Sequence, residues 1–199
     1  KAASLDATAG GAIGQWVGQA LEVTGVSKLD AGSQAVTLTD VANKFGGLVT
    51  VKAGQTALNA SESLDVALDQ TGATTLTAGD ALTLGGKAAS LNAKSGNGAI
   101  SQRAGEALTV TGTTTLDAGS QAVSLTEAGN KFGGLVTVKA GQTAVRASES
   151  LNVALDSTGA TTLSAGQALT LDGIAASLEA RAGGTISQRA RQALKVTGA

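Results

Sequence analysis

His, Cys, Pro, Met and Tyr are absent from the 199-residue chain. Without Cys there is no disulfide, no thiol nucleophile and no thiolate metal site. Without His there is no imidazole base, no Ser-His-Asp triad and no ordinary zinc or copper site. Carboxylates, Lys, Arg, hydroxyls and amides are left for any catalysis. Aromatics make up only 2% of the chain: Trp16, Phe45 and Phe132. Charged residues are sparse at 15%, and 14 basic against 15 acidic groups leave a formal charge of −1. No strong field steers the chain toward nucleic acid or an anionic membrane. No apolar run is long enough to span a bilayer, and no signal-peptide pattern opens the chain. The missing Met, with Lys1 first, is read as the mark of an internal segment of a longer protein.

What is present is repetition. Leu29–Gly86 aligns without gaps to Leu116–Gly173, with 47 of 58 positions identical and an offset of 87 residues. The flanks repeat as well: SLDATAGGAIGQW, SLNAKSGNGAISQR and SLEARAGGTISQR. The one extra residue of the middle copy falls in its Gly-rich turn, where repeat architectures tolerate insertions. The chain thus reads as a single array, with superunits at 1–86 and 87–173 and a partial third at 174–199.

Within a superunit the apolar residues alternate in short bursts such as LTV, VSL, LVTV and LNVAL. Bursts of period two rich in Val and Thr, separated by TG, AG, GG and GNG, predict short strands joined by tight turns. Nothing keeps a helical stripe over two turns. Near-identical repeats favour a solenoid over a sandwich, because each coil then lies on its own copy and side chains stack in ladders. The predicted fold is all-β: a right-handed parallel β-helix with three short strands per turn. Cutting each superunit into four coils gives about nine turns and a rod on the order of 43 Å long. A competing cut gives five coils of about 17 residues per superunit.

Three segments carry a family resemblance: GAISQRAGEALTVTGTTTLDAG (Gly98–Gly119), AVSLTEAGNKFGGLVTV (Ala122–Val138) and ALTLDG (Ala168–Gly173). In that order, repeated at 87 residues, they resemble filamentous-haemagglutinin-like exoproteins of bacterial two-partner secretion systems. The resemblance covers essentially the whole chain. It implies a β-helical length of a fibre exported through an outer-membrane transporter to the surface of a Gram-negative bacterium. Members of that family act in adhesion, biofilm formation and virulence, or carry contact-dependent inhibition toxins. Neither the family's secretion-recognition domain nor a toxin module is found here, so the expected role is that of the shaft.

Some residues invite more than a structural reading. In NKFGG, Phe45 and Phe132 are expected to plug a wider part of the coil. Gly46 and Gly133 open a close Gly-Gly corner, and Asn43 and Asn130 stack amides or hold a left-handed turn. Trp16, Arg103 and Arg189 share one aligned position. A position that accepts Arg is expected outside the core, so Trp16 should be exposed and could contact a partner. Asp69 and Asp156, like Glu62 and Glu149, repeat about four turns apart, too far for the 5 to 9.5 Å of a glycosidase pair. The nonapeptide calcium repeat is absent. Arg181, Arg189, Arg191 and Lys195 form a basic group that could touch sulfated sugar. The threonines of GATTLTAG and GATTLSAG are too irregular for a row of ice-binding ladders.

The expected function is structural: no catalysis, no cofactor and no metal. The alternative is a face that recognises a glycan or a receptor, with a polysaccharide-active β-helix enzyme behind it. The expected partners are the transporter, a host or neighbouring-cell receptor, and other copies joined end to end through open terminal strands.

Overall fold

The computed structural model describes residues 1–198. Every regular element in it is a β-strand, and every ladder between strands is parallel. Two long sheets run along the rod, and each follows a path of ten strands. The first sheet starts with Leu5–Thr8 and ends with Ser177–Ala182; the second starts with Ile13–Gly14 and ends with Ile186–Gln188. The chain crosses between them at each half coil, which makes a parallel β-solenoid.

The alternation read from the sequence sets which side chains point inward. Val49–Ala53 buries Val49, Val51 and Ala53 and exposes Thr50 and Lys52. Register then stacks like on like: Leu29 lies on Val51, Val51 on Leu68, and in the next copy Leu116 on Val138 and Val138 on Leu155. These six are all buried. Burying an aliphatic side chain of this size contributes about 1.5–3 kcal/mol, so a core without aromatic anchors is sustained by repetition.

The turn count differs from the expectation: about eleven turns, not about nine. Coil length varies along the rod. Ladder partners are 17 residues apart at Leu135 and Asn152, and 23 apart at Leu91 and Thr114. Both coil lengths weighed in the sequence are therefore present. The short coils have two strands joined by a one-residue corner, as at Gly54 between Val49–Ala53 and Gln55–Ala60. The long coils add a third strand, such as Glu22–Val23 on Lys44–Phe45 and Leu108–Val110 on Lys131–Phe132.

This mixture has a geometric consequence. From Ser27–Asp30 to Ile100–Gln102 the two long sheets use nine strands, an odd number. The next strand on the two ten-strand paths, Thr114–Asp117, is the copy of Ser27–Asp30 but lies in the opposite sheet. The same exchange holds for Leu64–Gln70 and Leu151–Ser157, and for Leu82–Ala88 and Leu169–Ala175. One 87-residue superunit therefore advances the solenoid by four and a half turns. Equivalent residues of consecutive superunits face opposite sides of the rod. Asp69 and Asp156, for example, sit in different sheets.

Candidate functional site

One feature breaks the even surface of the rod. Leu84 pairs with Gln102 and Gly86 with Leu108, so six residues of one rung span what two span on the rung before. The excess, Arg103–Ala107, is looped out over Gly85. The third copy does the same between Gln188 and Leu194, opposite Leu171 and Gly173. In the first copy the loop is Trp16–Ala20.

Each loop is closed by a β-turn whose hydrogen bond runs from residue four to residue one: Gln19 N to Trp16 O, Glu106 N to Arg103 O, Gln192 N to Arg189 O. The third turn residue has positive φ: 74° at Gly18, 74° at Gly105 and 63° at Arg191. Glycine suits that position, and Arg191 occupies it with a Cβ.

A half-buried amide pair holds the loop to the next coil. Gln102 Nε2 donates to Glu106 O at 2.8 Å and to Asn130 Oδ1 at 2.5 Å. Asn130 Nδ2 donates to Gln102 Oε1 at 2.9 Å and to Leu125 O at 3.2 Å, while Leu108 N donates to Asn130 Oδ1 at 2.8 Å. The first copy repeats the set with Gln15, Asn43, Leu38 and Leu21. Both asparagines are fully buried. This corrects the expectation for Asn43 and Asn130. Neither has positive φ, and each pairs with a glutamine 28 residues away rather than with another asparagine. Phe45 and Phe132 are buried at 5% exposure. A Cβ on Gly46 would lie 2.5 Å from Thr24 O, and one on Gly133 would lie 2.3 Å from Thr111 O, so the corner admits only glycine.

The aligned position of Trp16, Arg103 and Arg189 lies outside the aliphatic core in all three copies, and Trp16 follows the first strand of its sheet, with no preceding strand beneath it as Asp65 lies beneath Arg103. Trp16 is 86% exposed, and the adjacent Val17 is 99% exposed. Arg103 is instead held against the rod. Its Nη1 donates to both oxygens of Asp65 at 2.5 and 2.6 Å, and its Nε donates to Glu106 Oε1 at 3.0 Å. The Asp65 bond, then the Glu106 bond, raises the guanidinium pKa above its ordinary value. Arg189 has different partners: its Nη2 donates to Asn152 Oδ1 at 3.0 Å, and its Nε lies 3.2 Å from Asp172 Oδ2 as an ion pair without a hydrogen bond. Asp172 aligns with Gly85, Asn152 with Asp65, and Gln192 with Glu106. One carboxylate has moved from the loop to the strand beneath it. That paired change is visible in the three aligned copies, and the sequence reading missed it.

Other charges form ion pairs along the surface. Lys44 bonds Glu62, and Lys131 bonds Glu149. The Glu62 bond raises the pKa of Lys44, and the Lys1 bond lowers that of Glu22. In the basic group of the last copy, Arg181 is paired with Glu179 and Arg189 with Asp172. Among the described residues no group of three carboxylates is placed to hold a metal. Among the described residues no helix is long and apolar enough to cross a membrane.

A family model described as repeats of unknown function (DUF5649) matches residues 1–52 and 71–139, more than half of the chain. The chain belongs to this family. Both matched spans of the DUF5649 chain contain a protruding loop, Trp16–Ala20 in one and Arg103–Ala107 in the other. No curated protein and no solved structure matches it.

Proposed function

We propose that this DUF5649 segment is a length of shaft in a secreted bacterial surface fibre of the filamentous-haemagglutinin type, and that it performs no catalysis. The observation that carries the reading is the register. Each added superunit extends the same two sheets and changes length without changing cross-section. Such a rod suits a spacer that holds an adhesive or toxic part away from the cell. The GAISQ, NKFGG and ALTLDG segments support the family within which this role is placed. The lack of His and Cys, and carboxylates that are dispersed or paired with cations, support the absence of catalysis. Cysteine-free chains also suit export in an unfolded state, since no disulfide can trap them.

Surface labelling and fibre length test the proposal together. In cells producing the parent protein, antibodies against this segment should label intact cells. Removing one superunit should shorten the fibre by about 22 Å, at roughly 4.8 Å per turn. Function of the distal part should persist. Labelling only after permeabilisation, or an unchanged fibre length, would overturn the reading.

A further inference from the structure

The outer face of the second sheet carries a column of charge that the chain does not neutralise. Register places Lys94, Asp117, Lys139 and Asp156 one above the other on four consecutive rungs. Their neighbours Ala93, Leu116, Val138 and Leu155 point into the core, so these four project outward. Their signs alternate. None of the four forms an ion pair within the chain among the described residues. We propose that a second copy of this chain docks on this face, side by side and antiparallel, so that the column pairs with its own reverse. The inference goes beyond a shaft role and does not depend on where the rod is carried.

Three observations meet here. First, the column is self-complementary. A two-fold axis along the strand direction, between Thr114–Asp117 and Leu135–Ala140, reverses the order of the rungs and keeps each column facing itself. Lys94 then meets the partner's Asp156, and Asp117 meets the partner's Lys139. All four contacts join opposite charges. Second, the neighbouring column fits under the same operation. It reads Asn92, Thr115, Thr137 and Ala154. Thr115 meets the partner's Thr137, and Asn92, the longest of the four, meets the partner's Ala154, the shortest. Third, a hollow of about 320 Å³ runs between Thr115, Thr137 and Ala154 on one side and Asp117, Lys139 and Asp156 on the other. It leaves room for the side chains of an opposing sheet, which packs about 10 Å away.

These rungs lie inside the array. Ala73–Ala78 precedes them and Leu169–Ala175 follows them in the same sheet, so the face owes nothing to either end of the chain.

The first superunit supplies an internal comparison. Asp30, Lys52, Asp69 and Lys87 form the equivalent column on the opposite sheet, again with alternating signs. There the charges are satisfied within the chain: Lys52 lies 3.8 Å from Asp30, and Lys87 lies 2.9 Å from Asp69. In the second copy Ile174 stands at the Lys87 position, so Asp156 has no cation on the rung above it. One side of the rod is thus left to pair with a partner.

Exposed charge pairs are individually weak and screened by salt, so the association is reversible and electrostatic. Sedimentation equilibrium of the purified protein at about 1 mM, in about 20 mM salt, should show monomer and dimer, weakening at least about tenfold in about 0.5 M salt. Asp117→Lys and Lys139→Asp each place two like-charge pairs in the dimer, and each should weaken self-association about tenfold. Mixed together, the two variants regain four opposite pairs and should associate as the parent does. A single nitroxide on a cysteine at Thr75 lies two and a half rungs from the axis, and two such labels should be about 26 Å apart. Four results would overturn the proposal: monomer alone under these conditions, undiminished self-association of either single variant, no recovery in the mixture, or a different label separation. About 11 Å would mean parallel pairing, and about 50 Å would mean rods joined end to end.

Discussion

The side chains of Gln15 and Asn43 hold each other in a closed pair: Gln15 Nε2 donates to Asn43 Oδ1 at 2.6 Å, and Asn43 Nδ2 donates back to Gln15 Oε1 at 3.0 Å. The same pair recurs at Gln102 and Asn130. It anchors a surface loop to a fully buried amide on the next coil. Replacing Asn130 with Ala leaves Leu108 N, Leu125 O and the Gln102 amide without their partner. A loss of about 3 kcal/mol is expected, since each stranded buried group costs on the order of 1–3 kcal/mol. Hydrogen exchange at the Leu108 amide checks it: protection unchanged from the parent would contradict the role.

Gly86 sits at φ 99°, and a Cβ there would lie 2.0 Å from Leu68 O. Gly86→Ala should therefore destabilise the rod by about 3 kcal/mol or more, combining backbone strain with a collision against backbone. Gly10 has nothing within 4 Å of its Cβ position. Gly10→Ala should change stability by no more than about 0.5 kcal/mol. Denaturant midpoints of the two variants should separate accordingly.

The two Arg anchors are interchangeable if the carboxylates are moved together. A Cβ on Gly85 would lie 2.8 Å from Glu106 Oε2, so Gly85→Asp alone crowds and repels the loop. Adding Glu106→Gln reproduces the Asp172 and Gln192 arrangement of the third copy. The double variant should recover most of the loss, with a coupling of at least about 1 kcal/mol in a double-mutant cycle. Additive losses would show that the loop does not sense these partners.

Arg191 holds a φ of 63° where the other two copies have Gly18 and Gly105. A side chain in this region costs roughly 1–2 kcal/mol. Arg191→Gly should stabilise the last loop by about 1 kcal/mol, allowing for the greater freedom of glycine in the unfolded chain. Reduced protection of the Gln192 amide in the variant would count against this.

The half-turn offset can be measured with spin labels, because the chain contains no Cys. Thr37 and Thr137 lie in the same sheet five rungs apart, so cysteines there should report about 24 Å. Thr50, the copy of Thr137, lies in the opposite sheet. Labels at Thr50 and Thr137 project from opposite faces and should report a longer separation, on the order of 30 Å. A distance shorter than that of the first pair would mean a whole number of turns per superunit.

Much of the fold was legible in the sequence. Val49, Val51 and Ala53 alternate with Thr50 and Lys52, and that period of two admits one assignment of inside and outside. Repetition at 87 residues then supplied the stacking, since only a coil laid on its copy satisfies the same alternation everywhere. That the shared position of Trp16, Arg103 and Arg189 lies outside the aliphatic core was legible in their alignment, because a site that takes a guanidinium stays out of such a core. The number of turns was not legible. A one-residue corner such as Gly54 looks like part of a strand, and the sequence does not say that the chain changes sheet there. The pairing of Gln15 with Asn43 was hidden for a similar reason: 28 residues separate them, and only the coil length brings them together.

The sequence by itself determined a β-solenoid with an aliphatic interior and no reactive imidazole or thiol, because periodicity and composition are local properties. The tertiary structure alone decided that successive superunits face opposite sides and that Arg103 and Arg189 are held by different partners. Those outcomes depend on the sum of coil lengths and on contacts between coils, and no single segment encodes either.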